Sequence, residues 1–121
     1  MREYLVVIPA RLKSERLPEK PLIKLKKIPM IVRTFNQCKK AIPVKNIIVA
    51  TDSDKIINVC KNYSIPNILI KKKCFTGTDR VAEVAKIIRS KIYINLQGDE
   101  PIFPKKDIKD FLKYAYKFRF N

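Results

Sequence analysis

Residues suited to chemistry gather in three short segments of this chain. The first, Pro9-Ala10-Arg11-Leu12-Lys13-Ser14-Glu15-Arg16-Leu17-Pro18-Glu19-Lys20-Pro21, sets cations and a hydroxyl along an extended stretch. Arg11 and Arg16 could each grip a phosphate with two parallel hydrogen bonds, and Lys20 could add a point charge. A solvated basic loop would read the same way. The second, Thr76-Gly77-Thr78-Asp79-Arg80, opens a helical pattern whose free amides, with Gly77 and the Arg80 fork, suit an anion such as a carboxylate. A Thr78 that merely caps the helix beside a surface Arg80 is the commoner arrangement. In the third, Gln97-Gly98-Asp99-Glu100-Pro101, Asp99 could hold magnesium against bound phosphates, with Gly98 leaving room beside it. A turn stabilised by Asp99 is the alternative. Asp52 is expected to cap a helix and is not taken as a ligand.

Other chemistries are closed. The chain has no histidine, so Ser-His and Cys-His nucleophile pairs are absent. Cys38, Cys60 and Cys74 are widely spaced and odd in number, which suggests neither a disulfide framework nor a zinc site; Cys38 and Cys60 fall on apolar helix faces and are expected in the core. With only 2 glycines, a glycine-rich phosphate cradle cannot form, and side chains must do the binding.

The elements that would position these segments are legible as apolar runs. Tyr4 to Ile8, Asn46 to Ala50, Ile92 to Leu96 and, more weakly, Ile68 to Ile70 are continuous rather than alternating, the habit of parallel strands covered on both faces. Helical patterns lie between them. Pro29 starts one with Ile31, Phe35, Cys38 and Ile42. Asp52 or Ser53 caps a second, with Ile56, Val59, Cys60 and Tyr63 on one face. Thr78 caps a third, with Val81, Val84, Ala85 and Ile88. A fourth follows Pro104, with Ile108, Phe111, Leu112 and Ala115. Strand and helix in alternation predict an α/β fold with a wound, mainly parallel sheet and right-handed crossovers. In such sheets ligands bind beyond the carboxyl ends of the strands, where all three segments fall.

The 121 residues amount to one domain. At 46% hydrophobic and 31% charged, the composition is that of a folding chain. No apolar run approaches the roughly 20 residues of a membrane span, and none resembles a cleaved signal, so a cytoplasmic protein without a membrane partner is expected. The formal charge of +16 would attract any polyanion. Lysine supplies most of it, as an A/T-rich coding sequence would, and the clusters lack interleaved aromatics. A basic nucleic-acid-binding protein is therefore the rival reading, ranked second, ahead of a non-functional fragment.

The strings VVIPARLKSERLPEKPL, PMI, IIVATD, TGTDRVAEV and INLQGDEP follow in that order from about Val6 to Pro104. Together they resemble the CMP-Kdo synthetase (3-deoxy-manno-octulosonate cytidylyltransferase) family. The resemblance implies a nucleotidyltransferase-type sheet with helices on both faces, truncated after about four β-α units. It also implies the magnesium-dependent reaction of CTP with the sugar acid Kdo, giving CMP-Kdo and pyrophosphate for lipopolysaccharide synthesis. Carried over, Ala10, Arg11, Ser14, Arg16 and Lys20 look like nucleotide and triphosphate contacts, Arg80 and Gln97 like contacts to the sugar acid, and Asp99 like the metal-binding aspartate. Arg11, Lys20 and Asp99 would be the catalytic set. Family members are longer, and their second half carries further sugar contacts, a second metal-binding aspartate and much of a homodimer surface. Residues 1–121 are thus expected to be a single N-terminal nucleotide-binding portion, with incomplete activity, exposed apolar surface and no dimer of its own. Two positions depart from the family pattern. Lys27 stands where a turn glycine is usual, at a cost of about 1 kcal/mol if φ there is positive. Cys74-Phe75-Thr76 replaces polar residues that often include histidine, which would admit an amino-sugar variant of Kdo.

Overall fold

The computed structural model describes residues 2–12, 20–96 and 117–118. Strand β1 (Arg2–Ala10) runs through the centre, its β-branched residues favouring the extended backbone. After a 3-10 turn at Lys20–Leu22 comes a small hairpin of β2 (Lys24–Leu25) and β3 (Ile28–Pro29). Helix α1 (Met30–Lys39), strand β4 (Ile47–Thr51), helix α2 (Asp54–Asn62), strand β5 (Asn67–Leu69), helix α3 (Gly77–Ile87) and strand β6 (Ser90–Asn95) follow, then β7 (Lys117–Phe118). The main sheet has the order β5-β4-β1-β6-β7. Its first four strands are parallel and β7 is antiparallel to β6, with Tyr93 opposite Phe118. Val6 to Ala10 register against Ile47 to Thr51 on one side, and Tyr4 to Val7 against Ile92 to Asn95 on the other.

The continuous apolar run of β1 serves two cores at once. Val6 and Ile8 face the layer of α1 and α2, packing with Ile31, Phe35, Cys38, Ile56 and Cys60. Leu5 and Val7 face α3, packing with Val81, Val84 and Tyr93. Alternate side chains of one strand thus bury on opposite faces, so helices cover both sides of the sheet as expected. Tyr93 brings a hydroxyl into the second core, where it accepts from the Ser90 N–H at 2.9 Å and donates to the Ile88 carbonyl. Burial pushes the Cys38 thiol up to about 12 and the Cys60 thiol up to about 11.

Three expectations need correction. Thr78 does not cap α3: Thr76 does, its hydroxyl accepting from Asp79 N–H at 3.0 Å while Asp79 Oδ2 accepts from Thr76 N–H at 3.1 Å. This reciprocal pair satisfies two of the helix's free amides, whereas an acid three residues beyond Thr78 does not exist, Val81 standing there. Asp52 does not cap α2: Ser53 Oγ accepts from Ile56 N–H at 3.3 Å. Tyr63, placed on the buried face of α2, is the residue that ends the helix and is 47% exposed; Ile57 is buried in its stead. The hairpin carries Lys26 at φ 51° and Lys27 at φ 69°, the two positive values a two-residue turn of this hand requires, so the turn at Lys27 is one that favours glycine. The fourth helix expected after Pro104, with Ile108, Phe111, Leu112 and Ala115, lies outside the described residues.

Candidate active site

Because β1, β4, β5 and β6 are parallel, Ala10, Thr51, Leu69 and Asn95 all end at one edge of the sheet. The order β5-β4-β1-β6 also places a topological switch beside β1: the chain leaves β1 toward β4 and later returns through α3 to β6 on its other side. A ligand crevice is expected there. A cleft of about 120 Å³ is found, lined by Pro9, Ala10 and Arg11 from β1 and its exit, and by Cys74, Phe75, Thr76, Gly77 and Arg80 from the approach to α3. Arg11 is exposed at its mouth.

Arg80 is no surface residue. Its side chain is 5% exposed, its Nη1 donates to the Ile70 carbonyl at 3.2 Å, and its Nη2 lies 3.9 Å from Asp52 Oδ2. One guanidinium therefore ties the exits of β4 and β5 to the start of α3. Five N–H donors exceed what those two partners take, which leaves the fork capacity for an anion in the cleft it lines. Gly77 keeps a helical φ and contributes by leaving the cleft wall without a side chain.

The lysine run beyond β5 is divided among partners. Lys71 donates to the Asp52 carbonyl at 3.1 Å and lies 3.5 Å from Asp54. Lys72 pairs with Glu83 at 3.0 Å, and its hydrogen bond, with that of Lys86, holds the Glu83 carboxyl below its usual range. Lys73 sits 5.0 Å from the centroid of the Phe75 ring.

Of the residues expected in the site, Ala10, Arg11 and Arg80 are brought together. Ser14, Arg16, Gln97 and Asp99 lie outside the described residues, as does the side chain of Lys20. Among the described residues no group of three His, Cys, Asp or Glu side chains gathers to hold a metal. Phe75 and Thr76 entered the sequence reading only as part of the segment before α3 and as a departure from the family pattern, with no binding or capping role of their own. Thr76 had a signal, the Thr-x-x-Asp spacing of a capping box; Phe75 had none beyond its place between a lysine run and a helix start.

The strand order, the crevice at the switch point and the cations at its mouth are those of the nucleotidyltransferase class of α/β folds. The chain belongs to the cytidylyltransferase family, whose profile matches residues 5–119. It is 42% identical over 103 residues to the 3-deoxy-manno-octulosonate cytidylyltransferase of Chloroherpeton thalassium, covering 85% of this chain and 42% of the relative. Against the enzyme of the same name from Acinetobacter baumannii it is 39% identical over 111 residues, covering 89% of this chain and 44% of the relative. Among solved structures it superposes on a CMP:2-keto-3-deoxy-manno-octonic acid synthetase complexed with CTP, with a TM-score of 0.85 at 35% identity over 92% of this chain and 46% of that one. A cytidylyltransferase from Leptospira borgpetersenii, at 20% identity and TM-score 0.78, shares the fold. The chain thus spans less than half the length of these relatives.

Proposed function

We propose that this chain binds CTP at the carboxyl edge of its sheet and is the nucleotide-binding portion of an enzyme that transfers CMP to the sugar acid Kdo, releasing pyrophosphate, for lipopolysaccharide synthesis in the cytoplasm. The observation that carries this reading is the cleft joining Arg11, at the exit of β1, to Arg80, at the start of α3, in a chain 42% identical to a 3-deoxy-manno-octulosonate cytidylyltransferase. In the reaction the anomeric hydroxyl of Kdo attacks the α-phosphorus of CTP in line, the bond to the bridging oxygen breaks, and pyrophosphate leaves with the electron pair. Such transfers depend on positioning and charge, so a chain without histidine is equipped for them. Arg11, Arg16 and Lys20 neutralise the triphosphate and the Ser14 hydroxyl of the same segment donates to a phosphate oxygen; Arg80 and Gln97 receive the sugar acid's carboxylate and hydroxyls. Asp99 is our candidate ligand for magnesium, whose preference for one or two carboxylates plus phosphate oxygens suits a single aspartate beside a triphosphate. The ion would supply charge neutralisation on those phosphates.

Calorimetric titration of the purified chain with CTP and magnesium, beside ATP and duplex DNA at near-physiological salt, tests the reading. Saturable CTP-selective binding, weakened about tenfold or more by Arg11→Ala, is expected. A folded chain that ignores CTP, or that binds DNA with steep salt dependence in its place, overturns it.

A further inference from the structure

Phe75 is 74% exposed, more than any other large apolar side chain among the described residues. Its position is nevertheless fixed. Its N–H donates to Asp79 Oδ2 at 3.1 Å, the same oxygen that closes the capping box, so the residue is pinned to the first turn of α3. Its side of the cleft faces one with Ala10 and Arg11 in its lining. The Lys73 ammonium, 5.0 Å from the ring centroid, takes one face of the ring.

A phenyl ring has no donor or acceptor for phosphate oxygens or sugar hydroxyls; what it offers is a flat π-face. Of the parts of a nucleotide, only the base has a matching face. Resting on the reading that the cleft takes CTP, we infer that Phe75 is the stacking platform for the cytosine ring, with Lys73 holding the opposite face of the phenyl group. Every nucleobase has a π-face, so stacking adds affinity without choosing the base. Phe75 is then a residue for nucleotide affinity, and selection of cytosine falls to other groups of the cleft.

The chain contains no tryptophan, so Phe75→Trp places a single tryptophan at the cleft, whose emission is excited selectively beside the 5 tyrosines. Titration of that variant with CTP and magnesium should quench its emission saturably, with an affinity at or above that of the parent chain. Phe75→Ala should weaken CTP and UTP about equally, each by about tenfold or more in calorimetry, with an unchanged thermal melt because the side chain is exposed. Phe75→Leu, which keeps apolar bulk without the π-face, should behave like Phe75→Ala. Wild-type affinity in Phe75→Ala or Phe75→Leu, or unquenched Phe75→Trp that still binds CTP, overturns the inference and leaves the CTP reading standing. Failure of the folded parent chain to bind CTP overturns both.

Discussion

Arg80 Nη2 lies 3.9 Å from Asp52 Oδ2, and the two side chains differ sharply in burial, the first 5% and the second 45% exposed. The pair is therefore lopsided energetically. Asp52 keeps its water and contributes little, whereas Arg80 carries packing and the hydrogen bond to Ile70 O. Arg80→Ala should cost about 2 kcal/mol in urea denaturation, while Asp52→Ala should cost less than about 1 kcal/mol. Equal losses would contradict this account.

The cap of α3 gives a comparison between two threonines two positions apart. Thr76→Ala removes an acceptor for Asp79 N–H and should cost about 1 kcal/mol. Thr78→Ala, exposed inside the helix, should be neutral or slightly stabilising because alanine is the better helix former. Thermal melts of the two variants decide it.

Lys27, at φ 69°, holds a conformation that costs a side-chain-bearing residue more than glycine. Lys27→Gly should stabilise the chain by about 1 kcal/mol, a rise of roughly 5 °C in Tm for a domain of this size. A lower Tm in that variant would show that the Lys27 side chain contributes more than its backbone costs.

The buried thiols set an alkaline limit. Cys38 and Cys60 ionise only at about 12 and 11 in the fold against 9.0 in the free chain. A raised folded value means that their contribution is complete below pH 9 and is lost as pH climbs through 11 to 12. Urea stability should fall from pH 9 upward by on the order of 1 kcal/mol per pH unit for each thiol, and Cys38→Ala/Cys60→Ala should flatten the slope. In native protein a thiol reagent should modify Cys74, which is partly exposed, and reach the other two only after unfolding.

The strands were readable because β1, β4 and β6 carry uninterrupted apolar runs, and the helices because Ile31, Phe35 and Cys38, or Val81 and Val84, recur at helical spacing. The β2–β3 hairpin was not, since two-residue strands have no period and Lys26-Lys27 lacks the glycine or asparagine that marks such a turn. The pairing of Arg80 with Asp52 was hidden for another reason: residues far apart in sequence meet only through the register of β4 on β5 and the return of α3 across the sheet. Arg11 could be placed at a strand exit from pattern alone, but that Phe75 faces the same cleft depends on where α3 begins.

The central strand has a consequence for how the chain is made. β1 is made before every strand it pairs with, yet Ser90 Oγ bonds the Arg2 carbonyl across 88 positions, and Tyr4 finds its partner Ile92 only once β6 exists. During translation the Val6 and Ile8 face can be covered by α1 and α2, but the Leu5 and Val7 face and the edge that takes β6 must wait until most of the described residues have left the ribosome. Sheets closed by such distant pairings fold slowly and expose sticky intermediates meanwhile. The cleft is completed late, because its first wall, Ala10 and Arg11, precedes its second, Thr76 to Arg80, by more than half the chain.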